Sequence, residues 1–135
     1  MSRVLVVDDN AAQVRILRAY LEAEVAEVRG LVDSRQVEQV FAEFQPDVVV
    51  LDLHMPAPDG FEVLRRLRGA RTSLGYLPVI VLTADETRVA RNTALILGAD
   101  EVLTKPVDRE GLVLRVRNLL HTRHAYVNAL EGRPE

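Results

Sequence analysis

The chain contains no cysteine and no tryptophan in 135 residues. Without thiols it can form neither a disulfide nor a thiolate metal site. No apolar run approaches the roughly 18 residues that a membrane span requires. Met1-Ser2-Arg3 passes directly into a short apolar run, which is not the pattern of a signal peptide. Basic charge is not in excess: 17 Lys and Arg face 20 Asp and Glu, for a net charge of −3, and this is not the footprint of a nucleic-acid binder. Internal repeats and low-complexity segments are also missing. The expectation is a cytoplasmic protein with no membrane and no direct nucleic-acid contact. The hydrophobic fraction, 48%, argues against disorder. The length suits one domain, one that buries roughly two-thirds of its unfolded surface.

What is present is a set of short apolar runs, each followed by a polar residue. Val48-Val49-Val50-Leu51 runs into Asp52. An unbroken, mostly β-branched run of this length predicts a strand buried on both faces, as in the middle of a parallel sheet. The stretch His54-Met55-Pro56-Ala57-Pro58-Asp59-Gly60 that follows is a loop by its prolines and glycine. Val4 to Val7, followed by Asp8-Asp9, is a second such run. Pro78 to Leu82, followed by Thr83, is a third, and Glu101 to Thr104, followed by Lys105-Pro106, is a shorter one. Val25 to Val32 predicts a weaker strand near the sheet edge.

Helical patterns fill the gaps. Asn10 to Glu24 carries Val14, Ile16, Leu17, Tyr20 and Leu21 as an apolar stripe, with Asp9 or Asn10 as its cap. Asp33-Ser34 caps a second helix, with Val37, Val40, Phe41 and Phe44 inward, and Pro46-Asp47 ends it. Asp59-Gly60 opens a third, with Phe61, Val63, Leu64 and Leu67 as its apolar residues. Gly69 to Gly75 is a polar loop. Glu86 to Leu97 forms a fourth helix stopped by Gly98, and Asp108 caps a long last helix. Strand and helix alternate five times with short links. That order specifies an α/β fold: a doubly wound five-stranded parallel sheet with helices on both faces.

In such a sheet, ligands bind outside the carboxyl ends of the strands. Asp8-Asp9, Asp52, Thr83 and Lys105 all fall there. Each alone has an ordinary explanation as a helix cap, a turn residue, a β-former or a solvated charge. Together they define a chemistry. Two carboxylates about 4 Å apart repel by roughly 4 kcal/mol at an effective dielectric of 20, so three converging carboxylates need a cation. An all-oxygen set without His or Cys suits a hard ion that keeps its waters, hence Mg²⁺. Such an ion neutralises a phosphoryl group arriving beside the carboxylates. A lysine and a hydroxyl can hold the remaining phosphoryl oxygens, and one carboxylate can act as nucleophile to give an aspartyl phosphate.

The motifs VLVVDD at 4–9, VVVLDLHMPAPDG at 48–60, VIVLTA at 79–84 and GADEVLTKP at 98–106 resemble the receiver (CheY-like) domain of bacterial two-component response regulators. The resemblance runs from Val4 to about Leu120. It implies a flavodoxin-like strand order 2-1-3-4-5 and a set of roles. Asp52 is then the phosphoacceptor. Asp9 is the more direct Mg²⁺ ligand, Asp8 acts largely through water, and the backbone carbonyl of His54 completes the protein ligands. Thr83 binds a phosphoryl oxygen and Lys105 pairs with the phosphate, aimed inward by a cis bond to Pro106. The implied partners are a sensor histidine kinase or phosphotransfer protein, or a small phosphodonor, together with a downstream effector domain. A homodimer would use the face made by the fourth helix, last strand and last helix, or the C-terminal extension. The domain is expected over 1–122, with 123–135 as a helical extension or linker.

One position departs from the family pattern. Many receivers place Tyr or Phe three residues before the lysine as part of the switch, and here Val102 stands there. His54 and Asp85 occupy variable positions beside the site. His121 and His124 lie on the last helix and read as surface residues. Val116, Leu119, Leu120, Tyr126, Val127 and Leu130 extend an apolar stripe that only Arg123 interrupts, before the stop at Gly132 and Pro134. The helix is therefore expected to continue past His124, where a partner would cover it. The run LLHTRHAYVNAL also resembles tails that join receivers to cyclic-dinucleotide enzymes.

Two other functions fit parts of the pattern. A Mg²⁺-dependent phosphatase or hydrolase could use Asp52, but no general acid or substrate cap is evident. A flavin-binding carrier of the same topology would need a hydroxyl- and glycine-rich phosphate loop after the first strand. Asp8-Asp9 stands there instead.

Overall fold

Residues 2–69 and 76–132 are described by the computed structural model. The expected loop at Gly69 to Gly75 lies almost wholly outside them. Three apolar runs become strands β1 (Arg3–Val7), β3 (Val48–Asp52) and β4 (Val79–Thr83), with β2 (Glu27–Leu31) and β5 (Glu101–Thr104) as the other two. Their order is β2-β1-β3-β4-β5, and every pairing is parallel.

The unbroken apolar character of β1, β3 and β4 has a direct cause: both faces of the sheet are covered. Alternate residues point to opposite sides. Leu5, Val7, Val49, Leu51, Val79, Val81 and Val102 pack against α2 (Val37–Phe44), α3 (Gly60–Gly69) and α4 (Arg88–Ile96). Val4, Val6, Val48, Val50, Ile80 and Leu82 pack against α1 (Ala11–Leu21) and α5 (Arg109–Leu130). The edge strand β2 alternates exposed and covered residues, which is why its sequence signal is weaker.

The helices largely follow the sequence pattern, with three local differences. Ile16 is 45% exposed. It lies about 200° around the helix from Val14 at 100° per residue, and the buried stripe is Val14, Leu17 and Leu21. Asp33 caps a separate 3₁₀ turn, Ser34–Gln36, so α2 proper begins at Val37. The first helix stops at Leu21, where its apolar stripe ends, and not at the expected Glu24. Elsewhere the caps are as expected. Asn10 accepts from the Gln13 N–H, which leaves the neighbouring Asp9 side chain free of capping duty. Gly98, at φ 107°, ends α4, and Asp108 accepts from the Gly111 N–H to start α5. The last helix runs unbroken through Leu130, past His124 as the spacing predicts. Among the described residues no helix is long and apolar enough to cross a membrane.

Parallel register aligns the strand ends. Val7 pairs with Leu51, Asp52 with Leu82, and Thr83 with Thr104. Asp8, Asp52, Thr83 and Lys105 are thereby set along one rim. Gly60 closes the loop beneath it, its N–H donating to the Leu53 carbonyl at 2.9 Å. A Cβ at Gly60 would run into the Asp52 carbonyl oxygen and Leu53 Cα. Gly60→Ala is therefore expected to destabilise the fold by about 1–3 kcal/mol, the usual cost of overpacking. Urea midpoints of the two proteins would measure it, and an unchanged midpoint would contradict the packing described.

Candidate functional site

Two of the rim carboxylates are buried, Asp8 at 1% and Asp52 at 4% exposure, whereas Asp9 is exposed. Burying an ionised carboxylate is costly unless a counter-charge or hydrogen bonds accompany it. Lys105 supplies the counter-charge. Its Nζ lies 2.9 Å from Asp52 Oδ1 and 3.3 Å from Asp8 Oδ2. The peptide bond from Lys105 to Pro106 is cis, and the Lys105 N–H donates to the Thr83 carbonyl at 2.8 Å. That hydrogen bond ties the backbone of Lys105 to the end of β4. Asp8 Oδ1 also accepts from the Asn10 N–H at 3.0 Å.

One ammonium does not balance three carboxylates. Burial pushes the Asp52 carboxyl above its ordinary range, Lys105 works against that, and the charges of Asp8 and Asp9 add to the rise. For Lys105, burial acts to lower the ammonium's affinity for its proton, but Asp52 and Asp8 outweigh it and the net shift is upward. The site therefore stores electrostatic strain that a cation would relieve. The carboxylates of Asp8, Asp9 and Asp52 each offer an oxygen, and these oxygens lie within 4.8 Å of one another. Oxygen ligands at this spacing fit a hard divalent ion.

Thr83 is 1% exposed, and its hydroxyl is held from two sides. The Asp85 N–H donates to Oγ1 at 2.9 Å, and His54 Nε2 lies 3.1 Å from the same oxygen. Asp85 in turn accepts from the Thr87 N–H at 2.8 Å, which holds the Asp85 carboxyl below its usual range. Thr87 caps α4 through the Ala90 N–H. Val102, where a ring was looked for, is 6% exposed and packed in the α4-side core.

The structure thus brings Asp8, Asp9, Asp52, Thr83 and Lys105 to one rim, with the His54 side chain bonded to Thr83. His121 and His124 are exposed on α5, as expected. Ser34 is a supporting residue that the sequence did not reveal beyond its place in a cap. It is 6% exposed, and its hydroxyl donates to the Pro58 carbonyl at 2.8 Å. That bond pins the loop leaving Asp52 to the turn after β2.

With this geometry in hand, comparison with known proteins is informative. A family model for the response regulator receiver domain matches residues 4–117. The response regulator PleD of Caulobacter vibrioides is 42% identical over 118 residues, 87% of this chain and 26% of that protein. The chain therefore spans about a quarter of that relative's length. Among solved structures, the Francisella response regulator 1452 receiver domain superposes with a TM-score of 0.81 at 28% identity, covering 90% of this chain and 98% of that one. A two-component system response regulator/GGDEF domain protein gives a TM-score of 0.83 at 26% identity, covering 92% of this chain and 51% of that one. A model match over most of the chain, on a sheet of the same order and an acidic rim at its carboxyl edge, shows that the chain belongs to the response regulator receiver domain family.

Proposed function

We propose that this receiver domain is a phosphorylation-controlled switch with Asp52 as phosphoacceptor and Mg²⁺ as cofactor. The observation that carries the reading is the buried Asp52 carboxylate, clamped by Lys105 at 2.9 Å inside an acidic cluster that one lysine leaves undercompensated. Asp9 and Asp52, with Asp8 through water and the His54 backbone carbonyl, would hold the ion. Bound Mg²⁺ supplies positive charge that offsets the phosphoryl oxygens.

In the transfer step a carboxylate oxygen of Asp52 attacks phosphorus. The bond from phosphorus to the donor's imidazole nitrogen or acyl oxygen breaks, and the donor leaves with that electron pair. Lys105 stays near the acceptor and pairs with a phosphoryl oxygen. Hydrolysis later returns the carboxylate. This is self-catalysed acceptance and loss of a phosphoryl group, not turnover of an external substrate. The donor would be a sensor histidine kinase, a phosphotransfer protein or a small phosphodonor, and the protein would work in the cytoplasm.

The hydroxyl of Thr83 is the second phosphoryl contact in this reading. To reach a phosphoryl group on Asp52 it must give up His54. The hydrogen-bond chain from Thr83 through Asp85 to Thr87 leads straight to the start of α4. Movement of Thr83 would therefore re-seat that helix without an aromatic rotation at Val102. On the face so altered, Val89 and Ile96 of α4 are 75% and 83% exposed, and Leu114 of α5 is 51% exposed. A homodimer or a downstream effector domain would use this face.

Intact mass after incubation with acetyl phosphate and Mg²⁺ tests the chemistry. The wild type should gain one phosphoryl group, Asp52→Asn none, and Asp9→Asn at least tenfold less. Chelating the metal should abolish the gain. A full adduct on Asp52→Asn would refute the assignment. Amide chemical shifts with a beryllofluoride phosphoryl mimic test the switch. Changes are expected from Thr83 through Glu86 to Leu97, and changes confined to the acidic rim would rule out this route.

A further inference from the structure

The family match ends at residue 117, yet α5 continues to Leu130. Burial explains the added turns only in part: Leu119 and Leu120 pack against the core and Asn128 is buried. Leu112, Val113 and Val116 are in the core, but Tyr126 and Leu130 are 40% and 58% exposed. A helix end with so little packing frays in water. Arg123 adds a polar tie to the domain body. In the sequence it is the break in the apolar stripe. In the structure its side chain is only 12% exposed and pairs with Asp47, itself 15% exposed, at 2.8 Å. Its Nε donates to the Tyr76 carbonyl at 3.0 Å.

Both acceptors are themselves fixed. Asp47 Oδ2 accepts from the Arg3 N–H at 2.7 Å, and the Asp47 N–H donates to the Arg3 carbonyl at 2.8 Å. The Tyr76 hydroxyl donates to Asp100 Oδ1 at 3.2 Å, and Asp100 Oδ2 accepts from the Val79 N–H at 2.8 Å. A second contact lies one turn beyond Arg123, where the Tyr126 ring meets the Tyr76 ring edge-on, with centroids 5.4 Å apart. Asp47, Tyr76 and Asp100 sit just before β3, β4 and β5. Those are the strands whose other ends carry Asp52, Thr83 and Lys105.

We propose that Arg123, seconded by Tyr126, clamps the end of α5 onto the amino-terminal ends of the sheet strands, so that the helix leaves the domain as a rigid lever on a fixed line. The guanidinium is suited to the task because its planar fork reaches a carboxylate and a carbonyl at once, and an ammonium cannot reproduce that geometry. The lever does not depend on phosphorylation chemistry. It is a property of the fold, set by the contacts of Arg123 and Tyr126.

The absence of cysteine makes the test direct. Nitroxide labels are placed at Glu43→Cys and Ala129→Cys, both at exposed positions, and their separation is read by pulsed dipolar spectroscopy. The clamp predicts one narrow distance distribution. Adding Arg123→Ala should at least double its width, and Arg123→Lys should broaden it to a lesser degree. Far-UV circular dichroism shows that each variant keeps its sheet; if Arg123→Ala unfolds, Arg123→Lys alone decides the matter. A broad distribution in the labelled parent, or a width that Arg123 substitutions leave unchanged, overturns the proposal.

Discussion

The structure depends on one electrostatic constraint: two nearly inaccessible carboxylates, Asp8 and Asp52, share a single lysine. Everything around them serves to make that arrangement tolerable without neutralising it. The sheet beneath is apolar through Val4–Val7, Val48–Leu51 and Val79–Leu82, so the acids cannot retreat inward. The Asn10 N–H and Lys105 satisfy part of their demand, and exposed Asp9 adds further negative charge. On the proposed function, an acid rim undercompensated at rest would bind a cation and offer an incoming phosphoryl group a ready-placed ammonium. The burial that raises the proton affinity of Asp52 also keeps bulk water from solvating its carboxylate.

The sheet converts this local strain into geometry. Five-residue strands at about 3.3 Å per residue separate the two rims by about 16 Å. At the carboxyl rim the register sets Asp52, Thr83 and Lys105 side by side. At the amino rim Asp47, Tyr76 and Asp100 are hydrogen-bonded to their neighbours, and Asp47 and Tyr76 also to Arg123 of the last helix. The interior between is two packed apolar layers with no polar side chain to yield. Close packing of this kind gives a strand little room to yield locally.

Much of this was legible in the residues. Continuous β-branched runs disclosed the buried strands, because a strand covered on both faces has no polar alternation to show. The site residues were legible because each follows such a run, and parallel order brings strand ends together. What escaped was whatever depends on contacts between distant segments. Ile16 sits among the residues of an apolar stripe, and only its angle around α1 shows that it faces water. Ser34 offered a cap-like position, but its bond to Pro58 spans 24 residues and leaves no local trace. Arg123 looked like a flaw in an apolar pattern. Its partners, Asp47 and Tyr76, lie 76 and 47 residues away, and nothing in a periodicity argument could supply them.

Val102 illustrates how the same logic reaches the switch. A ring at that position would need room to swing, and a rotating side chain carries signal through steric volume. Here the position is filled by a valine in the core, so volume cannot be the messenger. The polar route remains: His54 and the Asp85 N–H hold one oxygen, Asp85 holds Thr87, and Thr87 caps α4. Hydrogen bonds in series have short range and strict direction, so a displacement of Thr83 cannot be absorbed within side chains alone. It must break a link or move the next one. Breaking the Thr87 cap would free the Ala90 N–H, which the Thr87 hydroxyl satisfies. In the proposed switch, moving the helix start would keep these bonds, and α4 carries Val89 and Ile96 largely exposed on its outer side.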